Sequence, residues 1–156
     1  MSVLSWLESS GFSSWLKESP SLFAYPFVLF LHSVGLVFTA GLSTLISLRL
    51  LGVGRQLPLA PLDRFFPLIW LGFWISAASG LVMLAVDATT KLANPLFSVK
   101  MIFVAASVAL MVLVRRRVKS VGVAGREASP GRWLAFASLV CWAGAIAAGR
   151  FMAYVG

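Results

Sequence analysis

Residues 95–117 read PLFSVKMIFVAASVALMVLVRRR: twenty residues with one charge, Lys100, followed at once by three arginines. A run of about 20 apolar residues is what an α-helix needs to cross the hydrocarbon of a bilayer. Arginines directly behind it mark the side on which the chain stops. The same reading applies at three other places, so four crossings are expected at Ser21–Leu48, Phe65–Val86, Pro95–Val114 and Trp133–Val155. Backbone groups in lipid must find partners within their own segment, which selects helices. The short alternating segments of a lipid-facing β-barrel are missing. The expected fold is therefore all-α, an integral membrane four-helix bundle over residues 21–156.

Composition agrees. The 156-residue chain is 60% hydrophobic and 12% charged, whereas soluble domains are about half apolar and a quarter charged. A net charge of +8 would suggest a nucleic-acid partner in a soluble protein. Here most basic residues sit between apolar runs, where they act as topology signals and meet lipid headgroups, so no nucleic-acid partner is expected. Arg49, Arg55 and Arg64 occupy the first loop, and Arg115, Arg116, Arg117, Lys119, Arg126 and Arg132 the third. Both loops lie on one face of a four-crossing chain, which the positive-inside rule places in the cytoplasm. Both termini then face the periplasm of a bacterial inner membrane.

Residues 5–22 hold a near-repeat, SWLESSGFS followed by SWLKESPSL, with Trp6, Leu7, Trp15 and Leu16 recurring among polar residues of the segment 1–20. This predicts an amphipathic helix lying on the outer interface, its indoles at headgroup level. Met1–Leu16 carries no Lys or Arg and no small-residue cleavage site, so the first long apolar run is expected to stay in the mature protein. The single cysteine, Cys141, lies inside an apolar run and is read as a small packing residue. Helices in lipid associate through small residues. Gly72, Ser76 and Gly80 in the second crossing, Ala137, Cys141, Ala145 and Gly149 in the fourth, and Thr39, Ser43 and Ser47 in the first form such stripes.

Ionisable residues inside a crossing are costly and are functional candidates by default. His32, the only histidine, lies in the first crossing, Lys100 in the third, Arg150 in the fourth, and Asp87 ends the second. At about 1.5 Å rise per residue, His32 is roughly 15 Å, Lys100 about 8 Å and Arg150 about 9 Å from the outer ends of their helices. Four helices thus contribute to the outer half of the bundle. Local explanations exist. Lys100 and Arg150 reach headgroups by snorkelling, Arg150 pairs with Asp87, and His32 bonds Tyr25, Ser33 or a backbone carbonyl.

Read as a site, the set fits an anionic cofactor, haem b foremost. His32 would be the axial ligand, and Gly35, nearly on the same helix face, would admit a flat macrocycle. Lys100 and Arg150 would meet the propionates, with the Tyr25 and Tyr154 hydroxyls at similar depth. With one histidine per chain, bis-His ligation needs two subunits of a homo-oligomer sharing the haem. Otherwise the sixth ligand is Met83, Met101 or Met152, or there is none. Copper handling is the second reading, since imidazole and thioether suit soft metals. The methionines show no Met-x-x-Met clustering, and the Lys/Arg pair would repel a cation. A non-catalytic accessory subunit of a membrane complex is the third. Hydrolase motifs, phosphate loops and paired catalytic carboxylates do not occur.

The segments YPFVLFLHSVGL, LRLLG, NPLFSVKM and GRFMAY, in this order, resemble a group of small bacterial four-helix membrane proteins of unknown function. More remotely they are similar to copper-resistance-D-type and cytochrome-b-like bundles. The resemblance covers roughly Ser21 to Tyr154. It implies a four-helix inner-membrane fold with His32, Lys100 and Arg150 inside the shared motifs, and it implies no activity. Many members carry Asp before the Leu-Arg pair where this chain has Ser47.

Overall fold

The computed structural model describes Gly11 and residues 24–54, 56–86, 88–124 and 131–155. The interfacial segment expected over residues 1–20 and the Asp87 side chain lie outside them, Gly11 apart. Among the described residues there is no strand, and four helical stretches are long and apolar enough to cross a membrane: Tyr25–Leu51, Pro61–Val86, Pro95–Ser120 and Arg132–Met152. The protein is an all-α four-helix bundle.

The first crossing is not one uniform helix. It comprises α1 (Ala24–Leu36), a π-helical turn over Val37–Gly41 and α2 (Leu42–Leu51). A π turn inserts an extra residue, which rotates the next segment by roughly 100° about the helix axis. The two halves accordingly face different neighbours. The second crossing begins with a 3₁₀ turn (Ala60–Phe65) and continues as α3 (Phe66–Val86); a short α4 (Ala88–Ala93) leads to α5 (Pro95–Ala124) and then α6 (Arg132–Val155). α1 packs on α3, α2 on α6, and α5 on α6.

Helix ends have local chemical causes. α2 runs to Leu51 rather than Leu48 because nothing stops it before Gly52, whose φ of 102° is left-handed. The Gly52 and Val53 amides then donate to the Arg49 and Leu48 carbonyls, closing the helix as glycine at this position commonly does. α5 continues to Ala124 instead of ending at Val114, since Arg and Lys are good helix formers and no proline intervenes. It begins with Pro95 behind Asn94, whose Oδ1 accepts from the Leu96 amide at 2.9 Å. At the end of α3, the Lys91 ammonium donates to the Met83 carbonyl at 2.7 Å, a cation on a helix C-terminus.

A buried hydrophobic core sits at the arginine-rich end. Ile46, Leu62, Phe66, Ile69, Met111, Val114 and Val118 form one buried cluster drawn from α2, the 3₁₀ turn, α3 and α5. Polar ties surround it. Arg115 pairs with Asp63 at 3.5 Å and lies 5.3 Å over the Phe66 ring. Arg49, buried, donates from Nε to the Leu57 carbonyl. This end fixes the bundle, and His32 and Lys100 lie toward the other.

Candidate functional site around His32 and Lys100

Two glycines create the site by bringing α1 and α3 together. A Cβ at Gly35 would fall 2.6 Å from the Ser76 amide nitrogen and 2.7 Å from the Gly72 carbonyl; one at Gly72 would fall 2.6 Å from Phe38 Cβ. Only glycine permits backbones this close, the small-residue packing known from membrane helices. Thr39, buried just beyond, donates its hydroxyl to the Gly35 carbonyl at 2.8 Å and shares it with Ile69 of α3 at 3.3 Å. The pairs Gly35–Gly72 and Thr39–Ile69 set an antiparallel register. One turn toward the other end, that register brings His32 opposite Ser76.

The imidazole is held on the face of α3. Its Nδ1 lies 2.9 Å from the Ser76 carbonyl oxygen, 3.2 Å from Ser79 Oγ and 3.3 Å from Ser76 Oγ. A carbonyl oxygen only accepts, so the 2.9 Å contact requires the proton on Nδ1. The Ser79 hydroxyl already donates to the Ile75 carbonyl at 2.7 Å, leaving its lone pairs for Nδ1–H. Neutral His32 is then the Nδ1–H tautomer, and Nε2 carries the lone pair. Gly80 completes the seat: a Cβ there would lie 3.3 Å from His32 Cε1.

Lys100 stands on α5, toward the same end of the bundle as His32. It is half-buried, and its aliphatic chain crosses α6 at Gly149, where a Cβ would lie 3.6 Å from Cε. Its ammonium makes no hydrogen bond or ion pair with a described residue. Deeper in the same interface, Gly144 makes room for the Phe103 ring.

The expected residues therefore divide. His32 and Lys100 lie toward the same end of the bundle, His32 seated on α3 and Lys100 laid along α6 at Gly149. Gly35 lies one turn from His32, but the side its missing Cβ would occupy is taken by the backbone of Gly72 and Ser76, so it serves the helix crossing. A planar ligand would have to approach elsewhere. Arg150 is exposed next to Gly149, Tyr154 is 79% exposed and Tyr25 is half-buried at the start of α1. Of the bonds expected for His32, the backbone carbonyl is the one made, and Ser33 instead donates to the Leu29 carbonyl at 2.9 Å. Met101 is 48% exposed, and Met83 and Met152 are intermediate. Among the described residues no three His, Cys, Asp or Glu side chains gather as a metal site.

The residues that hold His32, Ser76, Ser79 and Gly80, stand out in the sequence only as a packing stripe and its neighbour. The available signal is that this stripe mixes hydroxyls with glycine on the helix after the one bearing the lone histidine. No family model, curated protein or solved structure matches the chain.

Proposed function

We propose that this chain is a multi-pass protein of a bacterial inner membrane, both termini periplasmic, that binds an anionic cofactor, haem b foremost, for electron transfer or sensing. The observation that carries the reading is the orientation of His32. Metal-bound histidines almost always donate their other ring N–H to a carbonyl or carboxylate, which fixes the tautomer and raises the basicity of the ligating nitrogen. The Ser76 carbonyl does this for Nδ1, and Nε2 is the nitrogen left for an axial bond. Lys100, toward the same end of the bundle, supplies a positive charge for a carboxylate of the ligand, and Arg150, one residue beyond the glycine Lys100 crosses, supplies a second at the rim. When bound, the haem would supply one-electron chemistry; the chain's own part is to fix the imidazole and place the two cations. A homo-oligomer would offer a second His32 as the other axial ligand.

One observation favours a plainer second reading. The His32–Ser76 bond joins α1 to α3, so it also serves as a structural tie in a colourless accessory subunit. The visible spectrum of membranes overexpressing the chain with ample haem supply separates the two. A Soret band that is lost in a folded His32→Ala variant is expected. Absence of the band overturns the cofactor reading, and a band that survives His32→Ala removes His32 from the ligand role.

A further inference from the structure

A second polar region lies in the other half of the bundle. Ser43 and Ser47 of α2, Ser107 of α5 and Trp142 of α6 are all more than nine-tenths buried, and their Oγ and Nε1 atoms have no hydrogen-bond partner among the described residues. α2 and α5 both pack on α6, and Ser43 and Ser47 are successive turns of one α2 face. Counting about 1.5 Å per residue, Ser43 lies roughly 12 Å from Leu51, Ser107 roughly 12 Å from Arg115 and Trp142 roughly 15 Å from Arg132. Ser43, Ser107 and Trp142 thus share one slab near the middle of a hydrocarbon layer about 30 Å thick, with Ser47 one turn nearer the arginine-rich end.

A membrane helix has a simple remedy for a serine: it bonds the carbonyl one turn back. Ser33, Thr39, Ser79 and Ser120 all use it. Ser43, Ser47 and Ser107 do not, although the same kind of carbonyl lies one turn back. The Trp142 indole N–H, which can only donate, has no acceptor among the described residues either. Donor and acceptor atoms left unpaired on α2 and α5, and on the α6 helix that both pack against, call for a small ligand able to do both. Lipid cannot bond them, and a buried water with two to four polar neighbours can.

We propose that bound water occupies this seam between α2, α5 and α6, bridging the Trp142 indole N–H to the serine hydroxyls. It enters from the arginine-rich end, which Ser47 lies nearest at roughly 6 Å from Leu51. The inference is independent of what His32 binds.

Water-edited solid-state NMR on the full chain in lipid vesicles tests it, with the Trp142 indole signal assigned by its loss in Trp142→Phe. Two other tryptophans bracket the answer: Trp133, 83% exposed at the arginine-rich end, and Trp74, 65% exposed on the apolar face at mid-span. Polarisation is expected to pass from water to Trp142 as quickly as to Trp133. A Trp142 build-up as slow as that of Trp74 overturns the seam. If Trp142→Phe does not fold, Ser47→Ala and Ser107→Ala decide by sign. Removing a hydroxyl that holds water lowers Tm, whereas removing one buried dry leaves Tm unchanged or raises it, and either of the latter results overturns the proposal.

Discussion

His32 Nδ1 sits 2.9 Å from the carbonyl oxygen of Ser76, a bond between residues 44 positions apart that fixes both a helix pair and a tautomer. It rests on the Gly35–Gly72 crossing one turn away. The same close approach that packs the bundle therefore aims the imidazole. Any side chain that lifts α1 from α3 disturbs both together, whereas one that pushes only on the ring separates them.

Gly80 is the position that pushes only on the ring. A Cβ there meets His32 Cε1 at 3.3 Å, tight enough that alanine shifts the imidazole by tenths of an ångström and valine by more. Changes in groups that orient a metal ligand typically cost about 10–100-fold in affinity. Haem titration followed at the Soret band should show a modest loss for Gly80→Ala and at least about tenfold weakening for Gly80→Val, with helical circular dichroism retained. Unchanged affinity in both would mean that the seated imidazole is not the ligand.

Gly35→Ala should act on the fold itself. Its Cβ would meet main-chain atoms of α3 at 2.6 and 2.7 Å, and backbone cannot rotate aside as a side chain can. Overpacking of this kind costs about 1–3 kcal/mol. Gly41→Ala, with nothing within 4 Å of the added methyl, is the control and should be neutral or slightly stabilising. Denaturant unfolding in detergent micelles measures both. Equal stabilities would remove the close crossing from the fold.

The four crossings were legible because about 20 apolar residues between charged loops have few other uses. The lone histidine was legible as out of place for the same reason. Its partner was not. Ser76 shows in the sequence as one member of a small-residue stripe, and only the meeting of Gly35 with Gly72 sets the register that turns packing residues into a seat. The π turn at Val37–Gly41 was equally hidden, since no proline or charge marks it; its effect is to let α1 and α2 serve different neighbours. Gly35 was expected beside a ligand because a glycine near a histidine reads the same whether a macrocycle or another helix takes the space. The 3₁₀ turn before α3 and the extension of α5 were missed because hydropathy alone marks the lipid boundary and says little about where a helix stops.

Arg115 ties α5 to the turn before α3 in two ways, by a 3.5 Å pair with Asp63 and by stacking over Phe66. Both charged side chains are more than a third exposed, and such pairs contribute about 0–1 kcal/mol. Stacking adds about 0.5–1 kcal/mol at an exposed site. Asp63→Asn should therefore cost little and lose even that at high salt, while Arg115→Ala should cost up to about twice as much. A double-mutant cycle on unfolding free energies checks the split. If Asp63→Asn proves the more damaging change, the stacking contribution is negligible.

The arrangement of charges makes a definite prediction for topology. Seven of the basic residues with described positions, Arg49, Arg64, Arg115, Arg116, Arg117, Lys119 and Arg132, lie at one end of the bundle, and Lys91, Lys100 and Arg150 lie toward the other. An excess of this size orients short loops toward the cytoplasm. Gln56 and Thr90 are exposed in the first and second connections, so they report on opposite faces. With Cys141 replaced by serine, Thr90→Cys should react with a membrane-impermeant maleimide in intact cells whose outer membrane admits the reagent. Gln56→Cys should react only after the inner membrane is opened. The reverse pattern would put the His32–Lys100 site in the cytoplasmic half, where any cofactor held there would exchange electrons with cytoplasmic rather than periplasmic partners.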